Sequence, residues 1–350
     1  MISKNAPQNA LRGPIAARPT TPAATGADHL AYLARRLTPR DRWLTRMLNE
    51  HRVFTTRQIT ELAWNTPRVA NMRLLDLYRW RILDRFQPRR SKGTTQMHYV
   101  LDVAGATVLA YEDDLDPKRV AFNRNNTVGV AHSLRLAHTL GVNGFFTPMV
   151  QRSRQPDSTA RLTAWWSETR CAEHFGDTVR PDAYGRWREH GTEIEWFLEH
   201  DTGSERPAQR LGTKLLGYAR LAISTGITTP VLIWTPTITR EATVRRALAE
   251  VVPHLADPAL VPIATASIEQ AVMDDATDPS RAAWLPLARR SLGRRPLADL
   301  PEAWPHLPVP HTTPPEKTDT QGKSRPDAST ARVAPPDPVP PPPAQFGAPK

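Results

Sequence analysis

The sequence predicts a mixed fold, in which a small α+β unit is followed by a larger α/β unit with a mixed sheet. Apolar residues at helical spacing give way to strand-like runs between residues 82 and 101. Helical and strand patterns then alternate from about residue 126 to 265. Of the 35 prolines, 15 lie in residues 301–350, where they disfavour helices and central strands. We therefore expect a disordered arm at 1–34, domains at 35–105 and 126–295, a connector at 106–125, and a disordered Pro-rich tail at 296–350.

Composition narrows the class of protein. The chain of 350 residues has one cysteine, Cys171, so we expect no intrachain disulfide and no cysteine-based zinc cluster. An ordinary buried thiol is the expected role of Cys171. The first residues have no apolar segment typical of a secretory signal, and no run of about 18 apolar residues occurs. We therefore expect a soluble, cytoplasmic protein that does not bind a membrane.

The net charge of +11 is concentrated in one segment. Residues 35–92 contain 15 Lys and Arg against 5 Asp and Glu, a net charge of +10, whereas residues 93–350 contain 28 against 29, a net charge of −1. A concentrated basic segment is typical of a surface that binds a polyanion, most often nucleic acid. The alternative is a solvated surface in a protein that uses arginine throughout.

The basic segment predicts three helices followed by a hairpin. A Thr-Pro pair at 38–39 is typical of a helix N-terminus, and a capping-box pattern at 55–58 begins a second helix. A third helix is expected over 65–80, and two strands at 82–86 and 97–101 are joined by the basic loop QPRRSKGTTQ. This order is typical of a winged helix-turn-helix, whose third helix enters the major groove of DNA.

Double-stranded DNA is therefore the expected partner of this unit. Four candidate contacts lie on the third helix and three in the loop: Arg68, Asn71, Arg73, Arg79, Arg89, Arg90 and Lys92. The first three suit base edges, because Arg pairs well with guanine and Asn with adenine. The loop residues suit phosphates, which contribute affinity without sequence information. The alternative is a winged helix that uses the same surface for protein contacts.

The second unit is predicted as an α/β domain with a mixed sheet. Helices are expected at 127–140, 206–222 and 240–252, with a helical or loop-like segment at 168–176. Strands are expected at 144–151, 161–167, 231–235 and 260–265, together with a β-hairpin across 180–201.

Candidate chemistry lies at this hairpin. Asp182 begins one strand, whereas Glu199 and Asp201 end the next and point to the same face, being two residues apart. Lys214 follows on the next helix, in a region that otherwise uses arginine. Carboxylates at strand ends can hold Mg²⁺, which activates water and stabilises charge at a phosphate. We predict Mg²⁺ ligands Asp182, Glu199 and Asp201 and catalytic residues Asp182, Glu199 and Lys214; the alternative is a solvated acidic edge.

Four further ionisable residues of this unit carry weaker signals. His132 and His138 lie six residues apart on one predicted helix, which is not the spacing of two zinc ligands on one face. We expect structural or solvent-exposed roles for both histidines. Glu168 and Glu173 are candidates to join the acidic cluster.

The segments over about residues 38–265 together resemble the actinobacterial replication-relaxation family, which is associated with plasmid replication and mobilisation. The resemblance rests on LTPRDRWLTRMLNEHRVFTTRQITEL, VAHSLRLAH, RPDAY and FLEHDTGSERPAQRLGTKLLGYARL. The last block, with its acidic strand end and its helix containing Lys and Tyr, is the most specific. The resemblance implies DNA binding in plasmid replication or transfer.

The C-terminal domain of such proteins is also similar to the PD-(D/E)xK nuclease fold, which implies a restriction-endonuclease-like domain here. Asp182 matches the aspartate of the PD motif and Glu199 the acidic residue of the second half-motif. The chain departs from the pattern at Asp201, where the motif has lysine, and Lys214 is the candidate for the missing ammonium. Cleavage stays open, because a fold can persist after its chemistry is lost.

Three classes of function follow. The first is a DNA-binding protein of a plasmid or integrated element, and the second is a Mg²⁺-dependent endonuclease or nickase. The third is an interaction scaffold, in which the Pro-rich tail binds an aromatic groove of a partner protein; its alternative is a plain disordered tail. Whether the protein forms a homodimer is left open.

Overall fold

A computed structural model describes residues 18–88, 95–117, 135–203, 207–273, 278–281, 283–307 and 333–343, with single residues at 122 and 129 and no side chains at 207–210. Within these residues the chain forms a three-stranded sheet and a six-stranded sheet, each with packed helices. The predicted mixture of α and β structure is confirmed. No helix of this described part has the length and apolar character needed to cross a bilayer.

The N-terminal unit combines six helices with the smaller sheet. In chain order its elements are α1 (Thr21–Ala24), α2 (Ala27–Ala34), α3 (Pro39–His51), β1 (Phe54–Thr55), α4 (Thr56–Ala63), α5 (Pro67–Arg79), β2 (Leu83–Phe86), β3 (His98–Leu101) and α6 (Val103–Glu112). The strands are antiparallel in the order β1-β3-β2. Thr38 and Thr55 each cap a helix in a complete capping box, so local sequence sets the starts of α3 and α4.

Residues 18–34 belong to this unit, which corrects the expected disordered arm at 1–34 for that stretch. Arg18 Nη2 lies 2.6 Å from Asp102 Oδ2 and 3.1 Å from Asp84 Oδ1. Arg81 also donates to both carboxylate oxygens of Asp102, at 3.0 and 3.1 Å. Leu33 of α2 is fully buried. These contacts join residues far apart in the chain, so local sequence patterns did not reveal them.

The C-terminal unit is built on the larger sheet, with strand order β4-β5-β6-β7-β8-β9. Its elements are α7 (Leu136–Ser153), β4 (Arg161–Ser167), α8 (Glu168–Phe175), β5 (Ala183–Glu189), β6 (Thr192–His200), α9 (Pro207–Thr225), β7 (Val231–Thr235), α10 (Ile238–Val251), β8 (Ile263–Ser267), α11 (Ile268–Met273) and β9 (Leu285–Pro286). Strands β4 to β6 are antiparallel, β6 to β8 are parallel, and β9 is antiparallel to β8. The sheet is therefore mixed, as predicted.

Helix α7 occupies the stretch where a strand was predicted at 144–151, and that prediction is wrong. Phe145, Phe146 and Met149 are buried at helical spacing. Phe146 stacks on Trp165 of β4 with ring centroids 4.8 Å apart. Two glycines and Pro148 interrupt this apolar run, and such residues are typical of helix ends, which obscured the helical period.

One hydrophobic core passes through both units. Leu48 and Phe54 of the N-terminal unit share a buried cluster with Trp165 of the C-terminal unit. The ring of His51 stacks on that of Trp165 with centroids 3.8 Å apart. Asn143 Nδ2 of α7 donates to the carbonyl of His51 at 3.2 Å and to that of Val53 at 2.7 Å. The two units are therefore joined by buried apolar and polar contacts.

Two stretches of the expected disordered tail are packed on the folded chain. Leu297–Ala303 forms a 3₁₀ helix whose leucines are buried, and Trp304 behind it is 3% exposed. Residues 333–343 lie against α3, where Trp43 Nε1 donates to the carbonyl of Asp337 at 2.6 Å. These contacts correct the expected start of a disordered tail at 296, because buried Leu and Trp side chains and hydrogen-bonded carbonyls hold both stretches in place.

Candidate functional site

Asp182 and Glu199 meet at one edge of the larger sheet. Strands β5 and β6 are antiparallel with Ala183 opposite Leu198, so the residue before β5 lies beside the end of β6. The backbone N–H of Asp182 donates to the carbonyl of Leu198 at 3.1 Å, which extends this pairing by one step. Both acids are buried, at 5% exposure for Asp182 and 3% for Glu199. The structure thus brings two of the predicted site residues together.

Lys214 of α9 bridges the two carboxylates. Its Nζ lies 3.1 Å from Asp182 Oδ1 and also contacts Glu199 Oε2. One turn further along α9, Tyr218 Oη donates to Glu199 Oε1 at 2.7 Å. The backbone N–H of His200 donates to Asp182 Oδ2 at 2.8 Å. The predicted catalytic triad of Asp182, Glu199 and Lys214 is therefore one connected cluster, here called the carboxylate–lysine cluster.

Burial controls the electrostatics of this cluster. Burial raises the pKa of Glu199, because the ionised carboxylate loses its hydration, and the ammonium of Lys214 partly offsets that effect. Burial also raises the pKa of Tyr218 well above its ordinary value, so its phenol stays protonated and donates to Glu199. The nearby thiol of Cys171 is buried and burial raises its pKa, so it is the unreactive thiol that was expected.

Asp201, the third predicted metal ligand, is held by a different partner. Its two carboxylate oxygens accept hydrogen bonds from Arg240 Nε and Nη2 of α10, each at 3.0 Å. The backbone N–H of Gly203 also donates to Asp201 Oδ1 at 2.6 Å. In the described part of the chain, no three His, Cys, Asp or Glu side chains are grouped so that they could hold a metal ion. The structure therefore does not bring the three predicted ligands together.

His138 lies beside Asp182, although sequence reasoning expected no role for it at the site. Its Nε2 is 3.4 Å from Asp182 Oδ2, and its ring lies edge-on to that of His200 at 5.5 Å. Helix α7 can approach the end of β6 because residue 141 is glycine: a Cβ there would lie 2.4 Å from Cε1 of His200. No local signal identifies His138, whereas Tyr218 could have been found from its i,i+4 spacing to Lys214.

A cavity of about 350 Å³ opens beside Asp182 between the two units. Its walls include the end of α3, the start of α7 and the start of α8. Besides Asp182, five charged residues line it: Glu50, Arg52, Arg135, Glu168 and Arg180. The three arginines are exposed, so they form a basic rim around a partly acidic floor. Glu168, a weaker candidate from the sequence, lies here in an ion pair with Arg135 at 3.0 Å, whereas Glu173 does not line the cavity.

Helix α5 presents an exposed face of mixed character. Arg68 and Asn71, two of the predicted base contacts, are exposed on it. Val69 and Met72 lie between and beside them with 52% and 65% of their surface accessible. Arg79 is partly exposed at the last turn of the helix. The face therefore offers hydrogen-bond donors and apolar groups together.

Arg73, a predicted DNA contact, is bound to a buried carboxylate within the N-terminal unit. Its Nε donates to Asp41 Oδ1 at 2.9 Å, Nη2 contacts Asp41 Oδ2, and its guanidinium lies 4.9 Å from the ring centre of Trp80. Since Asp41 is 1% exposed, this pair ties α5 to the start of α3. Four other residues singled out from the sequence lie outside the described residues: Arg89, Arg90, Lys92 and His132.

A family model described as replication-relaxation matches residues 45–237, more than half of the chain. The matched range contains the whole of α5 and every member of the carboxylate–lysine cluster. No curated protein and no solved structure is significantly similar to this chain.

Proposed function

Because this chain belongs to the replication-relaxation family, we propose that it is a DNA-binding protein that acts in replication-relaxation or mobilisation of a plasmid or integrated element. The observation that carries the proposal is the exposed face of α5 within a segment of net charge +10. The succession α3-β1-α4-α5-β2-β3 and the sheet order β1-β3-β2 support a winged helix-turn-helix. Helix α5 is then the recognition helix.

The chemistry of this face suits the major groove. Arg68 can donate twice to a guanine edge, and Asn71 can pair with an adenine edge. Val69 and Met72 supply apolar contact of the kind that thymine methyl groups accept. Arg73 is left out of this contact set, because its guanidinium is bound to Asp41 inside the unit.

Affinity for duplex DNA, measured over a range of salt concentrations, tests the proposal. Phosphate contacts predict that the logarithm of the association constant falls linearly with the logarithm of salt concentration. Arg68→Ala should weaken binding by roughly tenfold, the effect of about 1–3 kcal/mol for a base contact. Arg220→Ala is the matched control, since it removes an exposed arginine from α9 in the other unit. Salt-independent affinity, or equal losses from both substitutions, would reject the proposal.

A second candidate function is a Mg²⁺-dependent endonuclease or nickase. It is favoured by the carboxylate–lysine cluster, whose Asp182 borders a cavity rimmed by arginines. With Asp201 bound to Arg240, two carboxylates are left for a metal. Two carboxylates fit Mg²⁺, which is commonly held by one or two carboxylates with water and substrate phosphate as its other ligands.

The residues of the cluster then have separate roles. Asp182 and Glu199 would hold the ion, which when bound supplies charge neutralisation at a phosphate and a more acidic water. Lys214 would place its ammonium beside the scissile phosphate, while Tyr218 keeps Glu199 oriented through its 2.7 Å hydrogen bond. The arginine rim of the cavity would bind the neighbouring phosphates of the strand.

Nicking of supercoiled plasmid tests this second function. Wild type should nick in Mg²⁺ or Mn²⁺ and stop when the metal is chelated, and Asp182→Asn, Glu199→Gln and Lys214→Met should each abolish nicking. Glu173→Gln is the control, because it removes a carboxylate that does not line the cavity. Equal nicking by wild type and the three cluster variants would indicate a contaminating nuclease and reject the function.

A further inference from the structure

The C-terminal segment 333–343, with the sequence VAPPDPVPPPP, is bound through its backbone carbonyls. Arg170 Nη1 donates to the carbonyl of Val333 at 3.0 Å and Trp43 Nε1 to that of Asp337 at 2.6 Å. Arg40 donates to the carbonyl of Pro341 from Nη2 at 2.9 Å and from Nε at 3.3 Å. The three accepting residues follow one another at intervals of four.

This pattern suits a peptide rich in proline. Proline has no backbone N–H, so a segment with seven prolines in eleven residues offers mainly carbonyls for hydrogen bonding, and one of the three accepting carbonyls is that of Pro341. Each protein group that contacts these carbonyls is a donor, an indole or a guanidinium. Prolines also favour the extended polyproline conformation, so binding such a segment costs little conformational entropy.

Side chains add to the fit between the carbonyl contacts. Pro338, Val339 and Pro340 are buried against the protein. Asp337 Oδ1 accepts the backbone N–H of Val339 at 2.9 Å, and Asp337 Oδ2 lies 3.3 Å from Arg161 Nη2. That ion pair is exposed and adds little, so the buried residues and the carbonyl contacts hold the segment.

The donors come from both structural units. Arg40 and Trp43 lie on α3, whereas Arg161 lies on β4 and Arg170 on α8. The surface formed by α3, β4 and α8 around the segment is here called the groove. It spans the boundary between the two units, and the segment contacts both units.

We propose that this groove, formed by α3, β4 and α8, is a binding site for proline-rich peptides that the chain's own residues 333–343 occupy in cis. Tethering within one chain supplies the segment at an effective concentration in the millimolar range, so the cis ligand outcompetes dilute peptide. The same sequence offered in trans binds once the cis segment is weakened. A protein partner of the tail would first have to displace it from the groove.

The test uses the full chain and a fluorescent peptide of residues 333–343. In a release variant, Val339→Asp puts a charge at a buried position of the cis segment. Peptide binding, read by fluorescence anisotropy, should be at least about tenfold tighter to the release variant than to wild type. Adding Trp43→Phe, which removes the indole N–H together with part of the ring, should weaken peptide binding to the release variant by roughly tenfold.

Two controls keep the result unambiguous. A peptide carrying the same Val339→Asp change should not bind the release variant, and circular dichroism should show that both protein variants stay folded. Equal peptide affinity of wild type and release variant would overturn the proposal, as would no binding at millimolar peptide. Should the Trp43→Phe variant fail to fold, Pro340→Asp in the peptide gives the second measurement, because it puts a charge at another buried position of the segment and should weaken binding.

Discussion

Replacing Lys214 by Met should destabilise the protein and make its stability depend more steeply on pH. The substitution keeps the length of the side chain but removes the ammonium that contacts Asp182 and Glu199. Both carboxylates are buried, so they would lose their counter-charge without gaining water. Removing one partner of a buried ion pair costs about 3–5 kcal/mol.

The structure places the expected loss near the lower end of that range. The side chain of Lys214 is 21% exposed, so part of its charge is already screened. The N–H of His200 and the phenol of Tyr218 also remain as donors to the two carboxylates. We expect a loss of about 3 kcal/mol at pH 8, a large share of a typical total of roughly 5–15 kcal/mol.

The pH dependence follows from Glu199. Its pKa is raised in the folded protein, so the folded state binds a proton more tightly than the unfolded state does. Ionisation of Glu199 therefore costs stability as pH rises through the raised pKa, and protonation restores it as pH falls. Lys214 opposes the rise in pKa, so its loss raises the pKa of Glu199 further. The deficit of the variant should shrink from pH 8 to pH 5, by at most about 1.4 kcal/mol per pH unit for one group.

Urea unfolding followed by tryptophan fluorescence at pH 8 and pH 5 measures both effects. Arg220→Met is the matched control, because it removes an exposed positive charge from the same helix and should change stability by about 0.5 kcal/mol or less. Equal losses of free energy of unfolding in the two variants would contradict the role given to the Lys214 ammonium. An equal deficit of Lys214→Met at both pH values would contradict the role given to Glu199.

Three further predictions concern other parts of the molecule. Arg68→Ala should lower duplex affinity and leave Tm unchanged. Arg73→Met should lower Tm, because its carboxylate partner Asp41 is buried. The reverse pattern in binding and melting assays would contradict both assignments. Burial lowers the pKa of His51 to about 3, so the unfolded state takes up a proton that the folded state excludes. Stability should then fall by up to about 1.4 kcal/mol per pH unit from pH 6 to pH 4, and His51→Phe should remove this part of the slope in urea titrations. Gly185→Ala would place a Cβ 2.4 Å from the ring of Trp196, so we expect a loss of about 1–3 kcal/mol, read as a lower Tm; an unchanged Tm would show that the ring moves freely.

Local sequence signals predicted the elements that depend on local interactions. The caps at Thr38 and Thr55 and the hairpin of β5 and β6 lie close to where their patterns placed them. Lys214 stands out in the sequence as a lysine in a chain that mostly uses arginine, and its ammonium contacts two of the three predicted carboxylates, Asp182 and Glu199. Alternation along a strand could not reveal that Arg240, on another helix, binds Asp201.

Contacts between distant parts of the chain could not be predicted in this way. Arg73 has the sequence position of a DNA contact, yet Asp41, on another helix, binds it. His138 reaches Asp182 only because Gly141 lets two elements approach closely. The sequence of segment 333–343 predicted a disordered tail, because the groups that hold it lie on other elements and leave no local pattern.

The continuous core between the units fixes the position of α5 relative to the cavity at Asp182. His51 stacks on Trp165 and its neighbours line the cavity at Asp182, while α5 lies on the same N-terminal unit. A duplex held on α5 would therefore meet the cavity at a set number of base pairs from its binding site and at a set helical phase. Insertion of about five base pairs into the target, half of a turn of roughly 10–10.5 base pairs, would turn the strand at the cavity to the opposite side of the duplex. In such a complex, the packing of His51 on Trp165 would set the distance along the duplex between the binding site on α5 and the cavity.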